Sequence, residues 1–151
     1  MFIATGSNVG DRRENLKRAK NNLIKDYVLI GESRIYESPA VDYLNQPDFY
    51  NQVLEFSLPS QSPEAVMSSL LEIEKKMGRL RHIPKGPRII DLDILFFGDI
   101  HLISEHLHIP HPRLFERSFV VLPLSELPGF KQLQQKYLFR FEFTNSAKAL
   151  S

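Results

Sequence analysis

The sequence predicts an α+β fold built on a largely antiparallel sheet, and three observations carry that reading. Val28 to Tyr36 and Phe49 to Leu58 hold the aromatic and β-branched content of strands. SPEAVMSSLLEIEKKMG repeats its apolar residues Val66, Leu70, Ile73 and Met77 at helical spacing. The order of elements is βαββαβ with further elements behind it, an arrangement that favours a ferredoxin-like sandwich with helices packed on one face of the sheet.

Each element has its own signal. Phe2 to Thr5 reads as a short strand, and DRRENLKRAKNNLIKD as a helix capped by Asp11, with Glu14 three residues on as in a capping box and Leu16, Ala19 and Leu23 as its apolar stripe. In the second helix Ser62 is the cap, Pro63 takes the first helical position and Gly78 ends the run. Between the two long strands lies ESPAVDYLNQPD, a loop too long for a tight hairpin, and long loops are often functional. GPRIIDLDILFFGD reads as a buried strand ending at a Gly98-Asp99 turn, followed by a short strand at Ile100 to Ile103 and a helical stretch near Leu114 to Leu124. YLFRFEF alternates apolar and polar residues and reads as a further strand, while Lys131 to Ser151 changes character and suggests a peripheral addition to a single domain spanning 1–151.

Composition narrows the function. With 151 residues, 42% hydrophobic, 25% charged and a net charge of +1, the chain has enough apolar content for one core and no global field to draw in nucleic acid or an anionic membrane. It has no cysteine, so thiolate chemistry and disulfide staples are excluded. No stretch has the length of a membrane span and the N-terminal apolar run is short for a signal peptide, so a cytoplasmic protein is expected, and a monomer.

The opening for function is the pair Asp91 and Asp93. Residues two apart on a strand share a face, so both acids point one way while Ile90, Leu92, Ile94 and Phe96 are expected on the other. At about 6–7 Å and an effective dielectric near 20, the two charges repel by roughly 2–3 kcal/mol. Two readings answer this: a solvent-facing edge where water screens the acids, or a divalent cation such as Mg²⁺, which takes one or two carboxylates plus substrate phosphates. The preceding run holds Arg79, Arg81, His82, Lys85 and Arg88 with no acid among them, broken by Gly78, Pro84, Gly86 and Pro87. Such a run is commonly a solvated face, but guanidinium forks beside a metal site are also what phosphoryl transfer requires.

GPRIIDLDILFFGD, together with ATGSNVGDRRENL, YESPAVDYLNQPDFYNQV and IPHPRLFERSFVVLPLSEL in this order, resembles the 6-hydroxymethyl-7,8-dihydropterin pyrophosphokinase family of folate synthesis. The resemblance covers all but about the last twenty residues. It implies the same ferredoxin-like fold and transfer of the β,γ-diphosphate of ATP to the pterin hydroxymethyl group, releasing AMP. By resemblance Asp91 and Asp93 hold two Mg²⁺ ions, and Arg79, Arg81 and Arg88 contact phosphate. Glu74, Ile94, His111 and Arg117 fall on nucleotide-side positions; without the resemblance Glu74 reads as a solvated helix residue. Phe49 and Phe119 fall on the aromatic pair that sandwiches the pterin, Asn51 on the amide that reads its edge, and Ser38, Pro39 and Val41 on the loop whose backbone faces it. Apart from the resemblance, both phenylalanines read as ordinary core residues. The family also admits association or fusion with other folate-pathway enzymes.

Other chemistries compete. His106, His108 and His111 lie close together, a spacing that raises zinc, although a loop triplet shows no partners to fix its rings. A ferredoxin-like RNA-binding module would stack bases on sheet aromatics, but the Gly and aromatic string of such modules is absent. A metal-dependent phosphatase or nuclease would share the acid pair without requiring Phe49, Asn51 and Phe119 together.

Overall fold

A computed structural model describes residues 1–40, 45–79 and 86–150. The first strand, β1 (Phe2–Ser7), leads into α1 (Arg12–Leu23), where the Asp11 side chain accepts the Glu14 amide. Strands β2 (Leu29–Glu32), β3 (Ile35–Ser38) and β4 (Phe49–Phe56) follow, then α2 (Pro63–Lys76) and β5 (Asp91–Phe96). In α2 the Ser62 hydroxyl accepts the Ala65 amide, and Gly78 adopts a φ of 89° beyond its end, the left-handed conformation that suits glycine. Every strand pairing is antiparallel, in the order β5-β1-β4-β3, with β2 also paired to β4.

The expected single strand over Val28 to Tyr36 is two strands. Ser33 separates them, and its own groups keep the ladder satisfied: its amide donates to the Val53 carbonyl and its hydroxyl accepts the Val53 amide, each at 3.0 Å. Taken as one interrupted strand, β2 and β3 complete the βαββαβ order read from the sequence.

Helices cover both faces of the sheet, where one face was expected. On the first face Leu16, Ala19 and Leu23 of α1 and Val66, Leu70 and Ile73 of α2 pack on Ile3, Leu54, Phe56, Leu92 and Ile94. Full burial of side chains such as Leu54 or Leu70 contributes about 1.5–3 kcal/mol each. On the second face Phe2, Val53, Leu95 and Phe96 meet α3 (Ser118–Leu124) and α4 (Phe130–Lys136) through Val120, Leu124, Phe130 and Leu133. The reason lies in a register shift: Ile3 pairs with Ile94 but Phe2 with Phe96, so Leu95 is skipped and both Leu95 and Phe96 join the second core. Phe96, expected behind the acids, is thus on their side of the sheet.

The remaining segments also depart from simple periodicity. Leu114 to Leu124 divides into a 3₁₀ turn (Leu114–Glu116) and α3, because Arg117 between them has extended backbone. Ile103 pairs with His108 and Leu102 with Ile109, so the short strand expected at Ile100 to Ile103 is β6 (Leu102–Ile103) in a hairpin with β7 (His108–Ile109). YLFRFEF is not a strand: Tyr137 and Phe139 turn their rings onto Phe96, Phe115 and Phe130. The pairing falls instead to β8 (Lys148–Leu150), which lies along β3. Among the described residues no helix is long and apolar enough to cross a membrane.

Gly129, at the start of α4, donates its amide to the buried Glu55 carboxylate at 2.8 Å, and a β-carbon there would stand 2.6 Å from that carboxylate and 2.8 Å from the Phe2 ring. Gly129→Ala is expected to lower stability by about 1–3 kcal/mol, read as a lower urea midpoint at unchanged slope.

Candidate active site

The second face of the sheet is covered only in part, and the uncovered part is a cleft of about 440 Å³. Its floor is the sheet. Gly6 of β1 pairs with Asn51 on one side and Asp91 on the other, so the two halves of the cleft meet at a residue with no side chain. Ser38, Pro39, Phe49 and Asn51 line one half; Arg79, Arg88, Asp91, Asp93, His111 and Arg117 line the other, with Phe119 entering from α3.

At the charged end, Asp91 is held on both oxygens. Arg79 Nη1 donates to Oδ1 at 2.8 Å and Arg88 Nη1 to Oδ2 at 3.3 Å. Arg79 is itself fixed by Glu74, whose Oε2 lies 2.8 Å from Nη1 and also accepts the Leu92 amide at 2.8 Å. Glu74 is 3% exposed, so the solvated residue expected from its helical position is instead a buried strut between α2 and β5. It does not line the cleft, and its connection to the cleft is the ion pair with Arg79. Ile94 faces the opposite core and its side chain does not reach the cleft.

Asp93 shares the face of Asp91, as the spacing requires. Burial, then the charges of Asp91 and Glu74, push its carboxyl up to about 7, and Arg79 and Arg117 only partly oppose this. The ionised form of Asp93 is therefore disfavoured, first by burial and then by its acidic neighbours, and added positive charge beside it would favour that form. A divalent cation would supply that charge, and a pair of hard oxygen donors with phosphate and water completing the shell suits Mg²⁺. Among the described residues no group of three His, Cys, Asp or Glu could hold a metal, so the protein would contribute these two carboxylates and a ligand the rest. His106, His108 and His111 are not gathered into such a group; the first two are exposed and only His111 enters the cleft.

His111 donates its backbone amide to the Leu95 carbonyl at 3.1 Å, while its buried Nδ1 has no hydrogen-bond partner. Burial and the Arg117 charge lower its pKa to about 4, so it is a neutral hydrogen-bonding ring at physiological pH. The guanidinium of Arg117 stands 5.7 Å from the Phe119 ring centroid and that of Arg88 5.4 Å from Phe49, so each aromatic carries a cation from the charged end.

At the other end Asn51, 8% exposed, donates from Nδ2 to the Ser38 hydroxyl at 2.9 Å and the Tyr36 carbonyl at 3.3 Å. That fixes its amide and turns the carbonyl oxygen toward Gly6, where a β-carbon would lie 3.4 Å from it. Arg81, Val41 and Lys85 lie outside the described residues.

Sequence reasoning passed over Asn8 and Gly6. Asn8 is buried and ties the two halves together: its side chain donates to Gln46 Oε1 at 2.8 Å and the Pro47 carbonyl at 3.0 Å, and accepts the Arg88 amide at 2.7 Å. The available signal was GSN at a strand end, with a glycine on a face that otherwise carries Ala4, Asn51 and the acids.

A partly covered sheet face, with a carboxylate pair among arginines and with Phe49, Asn51 and Phe119 lining the same cleft, defines an α+β domain with a polar cleft on its antiparallel sheet. The chain matches the 7,8-dihydro-6-hydroxymethylpterin-pyrophosphokinase model over residues 2–129 and belongs to that family. It is 39% identical over 128 residues to the 2-amino-4-hydroxy-6-hydroxymethyldihydropteridine pyrophosphokinase of Bacillus subtilis, covering 83% of this chain and 76% of that one. A folic acid synthesis protein of Pneumocystis carinii is 43% identical over 130 residues, and a folate synthesis bifunctional protein of Arabidopsis thaliana 42% over 136. These matches cover 85% and 88% of this chain, which spans only 17% and 28% of the two longer proteins. A Plasmodium falciparum HPPK-DHPS crystal structure shares the fold, with a TM-score of 0.62 at 16% identity over 83% of this chain and 39% of that one.

The raised Asp93 carboxyl has a pH signature in metal-free protein. The unfolded carboxyl titrates near 4 and the folded one near 7, so its contribution to stability is full at low pH and lost as pH rises through 7. Asp93→Asn is expected to raise the stability of metal-free protein at pH 8, by on the order of a few kcal/mol, with the gain over wild type vanishing below about pH 4. Thermal melts across that range measure it.

Proposed function

We propose that residues 1–151 form one pterin pyrophosphokinase domain that transfers the diphosphate of ATP to the hydroxymethyl group of 6-hydroxymethyl-7,8-dihydropterin, releasing AMP, in folate synthesis. The observation that carries this reading is one cleft holding Asp91, Asp93, Arg79, Arg88 and Arg117 at one end and Phe49, Asn51 and Phe119 at the other. Family membership supports the reaction and the names of the relatives support the pathway.

In this reading Phe49 and Phe119 stack on the pterin and Asn51 reads its edge through its free carbonyl oxygen. The ring is thereby set with its hydroxymethyl oxygen toward Gly6 and the β-phosphorus of ATP beyond it. The new bond forms between that oxygen and the β-phosphorus while the bond from the same phosphorus to the α,β-bridging oxygen breaks; the leaving oxygen departs on AMP, and the hydroxyl proton is released to water. Asp91 and Asp93 hold Mg²⁺, two ions by the resemblance, which when bound neutralise phosphate charge and align the displacement. Arg88 and Arg117 carry charge to the transferring group, Arg79 does so from its Glu74 strut, and neutral His111 offers a hydrogen bond without adding charge. Glu74 is a positioning residue.

The charged face is matched to a small polyphosphate, and neither nucleic acid nor membrane is a proposed partner. The protein is proposed to act in the cytoplasm as a monomer. The two longer relatives' names, one of them bifunctional, suggest fusion or association with further folate enzymes.

Purified protein with Mg²⁺, ATP and the hydroxymethyl pterin is expected to release AMP, with none in the absence of pterin. ADP with inorganic phosphate, in place of AMP, would reject the assignment in favour of a phosphatase. Asp93→Ala is expected to lower turnover by at least about a thousandfold with the circular dichroism of the fold retained.

A further inference from the structure

The family match ends at residue 129, yet the chain beyond it returns to the backbone on either side of the cleft residue Arg117. Tyr137 and Phe139 anchor it in the second core, and after an irregular stretch Asn145 meets the break between the 3₁₀ turn and α3. Its side chain brackets Arg117. Nδ2 donates to the Glu116 carbonyl at 2.9 Å, while Oδ1 accepts the Ser118 amide at 2.8 Å and the Ser118 hydroxyl at 2.6 Å.

Those bonds supply what the local sequence lacks. Arg117 stands at the cap position of α3, but its side chain makes no capping hydrogen bond, and its backbone is extended at φ −104° and ψ 109°. Without an outside partner the Ser118 amide would be an orphan donor, and the turn and helix could run together as one continuous helix, as the sequence periodicity suggests. A continuous helix would rotate Arg117 and Phe119 together, since both are placed by this break. Three residues further on, β8 pairs with β3, whose last residue Ser38 fixes Asn51. The tail thus contacts the segments that lead into both walls of the cleft.

We propose that Asn145 is a positioning residue: from outside the family-matched region it sets the backbone at Arg117, and so the placement of the Arg117 guanidinium and the Phe119 ring in the cleft. The consequence for turnover rests on the function proposed above; the structural claim does not.

The test compares Asn145→Ala, Asn145→Asp and Leu133→Ala in the full chain. Leu133 is buried in α4, in the same core as Leu114 and Val120, but takes no part in the Asn145 hydrogen bonds, so its truncation lowers stability with the bracket itself in place. Asn145→Ala is expected to speed amide hydrogen exchange at Ser118, Val120 and Val121 by about tenfold or more, and to cut kcat/KM by a similar factor with a raised KM for the pterin, since small misplacements cost heavily. Asn145→Asp keeps the acceptor for Ser118 and is expected to recover most of both losses. Leu133→Ala, assayed well below its melting temperature, should leave exchange at the break and the pterin KM unchanged.

Wild-type exchange in Asn145→Ala overturns the proposal, as does an equal pterin KM effect in Leu133→Ala. If wild type releases no AMP, the pyrophosphokinase reading falls while the exchange comparison still decides the role of Asn145.

Discussion

Everything at the charged end of the cleft depends on a balance of buried charge. Glu74, Arg79, Asp91 and Arg88 form a connected chain, and each ion in it is tolerable only because its neighbour is there. Such chains are weak sources of net stability but strong constraints on geometry, because losing one member leaves the next uncompensated. Here the constraint runs from α2, through the end of the arginine segment, to the first residue of β5. It holds the strand that carries the acids against the helix behind it. Asp93 lies at the edge of this chain, where burial and the Asp91 and Glu74 charges push its carboxyl up, and the proposed Mg²⁺ would offset that.

The fold positions this chemistry by leaving a face unfinished. α1 and α2 complete the first core, as their stripes require, whereas α3 and α4 cover only the end of the second face where Leu95 and Phe96 are both apolar. The skipped residue in β5 therefore does two things. It gives the C-terminal helices something to bury, and it ends the acid-bearing alternation where the cleft must close.

Much of this was legible because local rules coincide with the tertiary outcome. Ser62, Pro63 and Gly78 mark α2 on chemistry that needs no tertiary context, and the period of two placed Asp91 and Asp93 on one face. What periodicity alone could not show was decided by distant partners. Ser33 splits a strand because Val53 accepts the break; Arg117 splits a helix against Asn145; and the alternation in YLFRFEF feeds an aromatic cluster while the sheet edge goes to β8. Glu74 looked solvated because its partners, Arg79 and the Leu92 amide, lie beyond the helix it sits on. Arg79 and Arg88 stood out in the basic run before the acid pair, whereas the cleft-side positions of His111 and Arg117 came through family resemblance; the structure gathers all four in one cleft, while Ile94, also named by resemblance, lies behind the sheet.

The bare backbone of Gly6 gives the cleft its continuity. Asn51 and Asp91 belong to strands that never touch each other, and the only thing between them is one residue of β1. A methyl group at that crossing would act as a partition in a two-room chamber, with each guest still seated and the doorway between them narrowed. In the proposed reaction, binding at each end would then outlast passage between them, so the absence of a side chain at one residue keeps two neighbouring pockets joined.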